Sequence, residues 1–423
     1  MKNVVALAGR AVLAIVTCCC LVSCRNEQKP ATSSTVSTPA PPAPSKRQQL
    51  LNTEVRAIYI TSWTAGISRF QTLIDMVSHS NLNAVVIDIK DSTGKVGYDS
   101  KVPLVAQTGA YEKRIRDLDA ILKQCRDKKI YTIARIAVFQ DPNLAKARPD
   151  LAVGGGGRKI WKDRKGLSWV DPASKDVWDY NLAIAREAAA KGFDEVQFDY
   201  VRFPTDGKLK TMTYPVYKHD VPKHEIIRRF FQYVDQQMKS VDVLTSADIF
   251  GLTTMVDDDM NIGQRIQDVA DYVDFVCPMI YPSHYPHGHL GLKNPAEHPY
   301  RVIYDASLRG MRRLEGKRAR MRPWLQDFKL GAVYDKKMIV EQIQAARDAK
   351  VFGFSMWNAR NVYTDAAYQE KLPEANPAPP LRAQVLEEIR RHEAARLAMQ
   401  NRSTAIRQEK PSINRPRRKA RVS

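Results

Sequence analysis

An alternation of short apolar runs and helical segments constrains this chain more than any other feature. Eight runs read as strands: RAIYIT at 56–61, NAVVIDIKD at 83–91, IYTIARIAVF at 130–139, EVQFDYVRFP at 195–204, LTSADIFG at 244–251, DFVCPMIYP at 274–282, ARMRPWLQDF at 319–328 and VFGFSMWNA at 351–359. Between neighbours lie segments with helical spacing, of which DVWDYNLAIAREAAAKG, stopped by its glycine, is the plainest. Strands separated by helices pair in parallel through right-handed crossovers, and eight such units close a (β/α)8 TIM barrel. An open doubly wound sheet is the runner-up. No GxGxxG or GxxxxGK loop follows the first strand, so that fold's nucleotide-binding signature is missing. GGGG at 154–157 has no strand before it and reads as a flexible loop.

The barrel takes residues 51–375, and both ends differ from it in kind. Residues 1–23 combine Lys2 and Arg10 with the run AVLAIVTCCCLV and lead through LVSC to Cys24, a pattern that resembles a bacterial lipoprotein signal. The run is short for a spanning helix, so Cys24 is the expected lipidated first residue of the mature protein. Residues 24–50, rich in Pro, Ser and Thr, form a disordered tether. Arg25, where an Asp would favour the inner membrane, points to the outer membrane or cell surface of a host with two membranes. Residues 376–423 form a basic helical and disordered tail that holds much of the net charge of +20. Charge lying outside the core argues against nucleic acid and for contact with anionic envelope polymers. Of the six cysteines, Cys18, Cys19 and Cys20 leave with the signal and Cys24 takes lipid. Cys125 and Cys277 remain as buried free thiols.

On EVQFDYVRFP, Val196, Phe198 and Tyr200 alternate with Glu195, Gln197, Asp199 and Val201. If the second row faces a barrel interior, Asp199 sits near the carboxyl end, where catalytic groups of such barrels lie. The same rule collects Asp88 and Lys90, Arg135, Gln197 with Arg202, Asp248, Tyr281, Trp324 with Gln326, and Trp357 with Asn358 from the other strand ends. Carboxylates, amides and aromatic faces at one rim suit a glycan, because rings stack on the apolar faces of sugars and polar groups take their hydroxyls. Asp199 and Asp248 stand at equivalent depth on adjacent strands about 4.8 Å apart. Their side chains can approach the roughly 5–5.5 Å separation of a retaining glycosidase pair, and other rotamers open it to the inverting range. Arg135 and Lys90 are placed to neutralise them. His284, His287, His289 and His298 share an irregular stretch whose spacing fits no zinc pattern, so no metal or other cofactor is expected.

VVIDIKDSTGKVGY, IYTIARIAVFQDP, GFDEVQFDYVRFPTDG, SADIFG, DFVCPMIYPSHY and GFSMWNA, in this order, resemble a bacterial glycoside hydrolase domain family of unknown substrate, over about residues 54–370. That family is distantly related to α-amylase-type (β/α)8 barrels. The resemblance implies a fourth-strand nucleophile and a fifth-strand general acid/base, which fall on Asp199 and Asp248. Amylase-type enzymes usually carry Glu at the fifth strand, and their histidine motifs have no clear counterpart here. The expectation is a lipid-anchored cell-envelope enzyme that hydrolyses O-glycosyl bonds of an envelope or extracellular polysaccharide, with retention. Asp88, Lys90, Arg135, Gln197, Arg202, Tyr281, Trp324, Gln326, Trp357 and Asn358 would bind the glycan. The rival is a non-catalytic glycan-binding lipoprotein on the same scaffold. A metal-dependent deacetylase would need a His/Asp triad that the strand ends do not supply.

Overall fold

A computed structural model of the chain describes residues 45–409, apart from Arg158, Glu370, Pro373 and Pro377. The expected signal, Cys24, most of the tether and the end of the tail lie outside the described residues. The strands are β1 (Val55–Ile60), β2 (Ala84–Lys90), β3 (Tyr131–Ala137), β4 (Glu195–Asp199), β5 (Leu244–Phe250), β6 (Phe275–Met279), β7 (Arg320–Met321), β8 (Trp324–Gln326) and β9 (Gly353–Trp357). They form one sheet in the order β5-β4-β3-β2-β1-β9-β8-β6-β7, and a β5–β6 pairing closes it. Pairing is parallel throughout. The two short pieces β7 and β8 share the seventh place, because Pro323 between them has no N–H to give the ladder. The result is a closed eight-stave (β/α)8 barrel.

Packing decides which row of each strand faces inward. On β4, Val196 and Phe198 join the apolar layer under the helices, and Phe198 meets Phe230 of the helix Lys223–Met238 edge-on at 6.0 Å. Glu195, Gln197 and Asp199 therefore take the interior. The helix Lys175–Lys191 buries Val177, Tyr180, Leu182, Ile184 and Ala188 against the barrel and ends on Gly192, whose φ of +98° is the left-handed stop a glycine provides. The segment NIGQRIQDVADYV, 261–273, has helical spacing but forms only the short helix Ile266–Val269. Met260 and Asn261 adopt left-handed backbone there, and Gln264 spends its side chain on Phe250 N and Val201 O, at 2.9 and 3.1 Å.

Both ends of the described chain dock on the barrel. The helix Lys46–Leu51, capped by Ser45, occupies the last residues of the expected tether. Its Arg47 donates to Val243 O and Asp274 Oδ1, both at 2.7 Å, at the amino-terminal rim, and Leu50 and Leu51 pack against the interior cluster. Residues 46–50, assigned to the tether by composition, are thus helical.

The tail was expected to lie outside the barrel, but the first turns of its helix Leu381–Glu409 pack on it. Val385 and Ile389 are buried, and Glu388 pairs with Arg309 at 3.0 Å and Arg301 at 3.5 Å. A buried aliphatic side chain contributes about 1.5–3 kcal/mol. Truncation after residue 380 should therefore lower the melting temperature by several degrees, whereas truncation after residue 409 should leave it unchanged. Equal melting of all three proteins by calorimetry would mean that the docked turns add no stability.

Candidate active site

The carboxyl ends of the strands converge on Arg135. The β4–β5 register sets Phe198 opposite Ala247, so Asp199 and Asp248, one residue on, stand at the same depth on adjacent strands. The β2–β3 register sets Asp88 opposite Arg135. Arg135 Nη1 donates to Asp88 Oδ1 at 2.5 Å, and Nη2 donates to Asp199 Oδ2. Its Nε stands 3.6 Å from Asp248 Oδ2, close enough to attract but too far to share a hydrogen. Trp324 Nε1 donates to Asp248 Oδ1 at 2.7 Å, and Tyr59 OH donates to Asp88 Oδ2.

Tyr200 ends β4 with a φ of +51°, a conformation that costs a bulky residue about 1–3 kcal/mol. The turn aims the Tyr200 N–H back at Asp199 Oδ1, 2.5 Å away. The strand expected to run to Pro204 stops at Asp199 for this reason. Behind the carboxylates, Tyr59 stacks on Trp357 with ring centres 4.0 Å apart, and Trp324 meets Trp357 edge-on at 5.5 Å.

One guanidinium faces three carboxyl groups, and the environment separates them. Burial, reinforced by the charge of Asp199, pushes the Asp248 carboxyl well above the ordinary range against the opposing pull of Arg135. Asp248 is 0% exposed and its Oδ2 accepts no hydrogen bond. Burial also raises Asp88, with Arg135 and Tyr59 opposing. Tyr281 belongs to the interior cluster with Tyr59 and Trp324, and its hydroxyl is raised by burial and then by the charges of Asp248 and Asp199. Asp199 is 4% exposed and held by Arg135 and the Tyr200 N–H. One carboxyl is thereby buried with a raised pKa next to another that is bonded to a cation, so the two environments differ in charge and hydrogen bonding.

A family model described as a "Putative glycosyl hydrolase domain" matches residues 57–363, well over half of the chain. The chain belongs to this glycosyl hydrolase domain family. Among solved structures, a hypothetical protein from Ruminiclostridium thermocellum ATCC 27405 is 41% identical, over 45% of this chain and 96% of that one, with a TM-score of 0.42. The glycoside hydrolase domain of PgaB (BpsB) from Bordetella bronchiseptica is 13% identical, over 75% of this chain and 99% of that one, with a TM-score of 0.55, and shares the fold. No curated protein matches the sequence.

In this glycosyl hydrolase domain, Asp88, Arg135, Asp199, Asp248, Tyr281, Trp324 and Trp357 come together. Gln197 lies one layer below, level with Arg135, and donates to Cys277 Sγ at 3.4 Å. Three expected glycan contacts are elsewhere. A register shift between Asp88 and Lys90 turns Lys90 out of the interior, where it is fully buried against Asp141 Oδ2 at 2.8 Å and Ala137 O at 2.5 Å. Gln326 accepts from Ser283 Oγ at 2.8 Å and donates to Phe328 O at 2.9 Å, so it braces the rim loops. Asn358 is likewise spent on Asp327 O and Val362 O. Arg202 stands on the rim between β4 and β5.

Tyr59 was missed, although it is the inward residue nearest the end of β1 and the rule applied to the other strands would have found it. The 37% exposed Phe250, two residues beyond Asp248 on β5, shares that parity and was missed as well, whereas Trp169, beside Arg202, lies on no strand and carried no such signal. Among the described residues, no three His, Cys, Asp or Glu side chains are placed to hold a metal ion.

Proposed function

We propose that this domain hydrolyses O-glycosyl bonds with Asp199 as nucleophile and Asp248 as general acid/base. The observation that supports it most is two carboxyl groups at one depth on adjacent strands, in environments that differ in charge and hydrogen bonding. An Asp199 oxygen would attack the anomeric carbon while Asp248 gives its proton to the departing oxygen. Water, deprotonated by Asp248, would then release the sugar with retention. Tyr281 and Trp357 would wall the sugar site, and Arg135 and Asp88 would orient the pair. The LVSC pattern supports a place at the cell envelope, with lipid on Cys24, and a wall or extracellular polysaccharide as substrate. The complete burial of Asp248 favours a second reading, a glycan-binding barrel without turnover.

The test is the release of new reducing ends from a panel of cell-wall and extracellular polysaccharides, measured across pH. Turnover should follow a bell. Its alkaline limb marks loss of the proton from the pair led by Asp248, and because burial raises that group the limb should fall above the ordinary carboxylate range. An absence of reducing ends at every pH would leave the binding reading in place.

A further inference from the structure

The rim beside Asp199 carries a cation that the chemistry above does not use. The Arg202 guanidinium stands 4.6 Å from the ring centre of Trp169, 5.0 Å from that of Phe250 and 5.9 Å from that of Tyr200. Packing against these rings restricts the freedom of its planar fork. Among the described residues, its one hydrogen bond runs from Nη1 to Phe203 O at 3.1 Å. The buried arginines Arg114, Arg135, Arg309 and Arg322 each meet a carboxylate directly. Among the described residues, none lies within ion-pair distance of Arg202. Burial pulls its pKa down, with Tyr200, Asp206, Asp199 and Asp163 opposing from beyond ion-pair distance.

The loops around it share one sign. The segment after β3 folds on itself through a bridge from Gly154 to Ile160 and pairs with the segment after β4 through a bridge from Gly154 to Thr213. Trp161 Nε1 joins them by donating to Lys208 O at 3.1 Å. Gly207, at φ +122°, passes so near that a Cβ there would lie 2.8 Å from the Trp161 ring. This paired flap exposes Lys159, Lys162, Arg164, Lys165, Lys208 and Lys210, and none of the six has an ion-pair partner among the described residues. Within 154–166 and 205–211 the acids are Asp163 and Asp206. Asp163 is turned inward, accepting from Lys165 N and Leu167 N at 2.9 Å and from Trp169 Nε1 at 3.1 Å. Such a flap concentrates anions at the mouth, and salt weakens it.

We propose that Arg202 receives the carboxylate of an acidic sugar bound next to Asp199, so that the substrate is an acidic polysaccharide. This rests on the glycoside hydrolase reading, and the experiment separates the two. The full-length protein is assayed on alginate, on polygalacturonate and on the carboxyl-reduced form of each. Wild type should prefer the acidic forms by about tenfold or more in kcat/KM, as for a charge-assisted fork, and sodium chloride should erode that preference. Arg202→Gln should abolish it, and Arg202→Lys, which keeps charge but loses the fork, should restore part. Lys208→Gln with Lys210→Gln, at exposed positions, should raise KM on the acidic forms.

Equal rates on acidic and reduced polymers, or a preference that survives Arg202→Gln, would overturn the inference and leave the hydrolase reading standing. If none of these polymers is cleaved, the wider polysaccharide panel decides the hydrolase reading and retention in alginate affinity gels decides the inference. Weaker retention of Arg202→Gln supports it and equal retention overturns it, since the basic tail is common to both proteins.

Discussion

Replacing Asp199 with Ala should lower kcat/KM by about 10⁴-fold or more on every glycoside, because in the proposed mechanism it removes the group that attacks the anomeric carbon. Asp248→Ala should behave differently. On glycans with a sugar leaving group the loss should be about 10²–10⁴-fold, the range of general acid catalysis. On nitrophenyl glycosides it should be much smaller, since that group departs without a proton. The contrast follows from the two environments: Asp199 lies against Arg135 and the Tyr200 N–H, whereas Asp248 is buried with one oxygen unbonded. Equal losses on both substrates in Asp248→Ala would remove the acid role from Asp248. If Asp88→Ala shows the leaving-group dependence instead, that role passes to Asp88, whose carboxyl is also raised by burial.

Arg322→Met should cost about 3–5 kcal/mol of stability, the penalty for stranding a buried charge. Arg322 and Glu195 lie in the barrel interior below the active layer and are both 0% exposed. Glu195 accepts from Arg322 Nη2 and Ser246 Oγ, and from Tyr131 OH at 2.9 Å. Removing the guanidinium leaves the carboxylate two neutral donors and no counter-charge. The pair itself adds little net stability, because Arg322 Nε and Nη1 find no partner. Arg322→Met with Glu195→Gln should therefore recover most of the loss. Urea denaturation of the three variants measures this. A double variant as unstable as Arg322→Met would show that packing, and not the stranded charge, sets the cost.

Strand and helix order was legible in the sequence because each barrel unit writes its own period, two for the strand and 3.6 for the helix, over a stretch short enough to read locally. The same period marked Asp88, Arg135, Asp199 and Asp248 as residues near strand ends with a shared parity. Only the closed sheet decided what that parity meant. Phe198 packs on Phe230 and so turns Asp199 inward, a choice made by a helix that starts 24 residues later at Lys223. One register shift after Asp88 sent Lys90, of the same parity, to Asp141 instead of the site. The left-handed turn at Tyr200 cut a strand that by composition would have continued. Gln326 and Asn358 looked free for a substrate until the rim loops claimed their amides. Local sequence carries propensity and alternation. Register, and the partners that consume a polar group, depend on residues distant in the chain, so they become fixed only when the barrel closes.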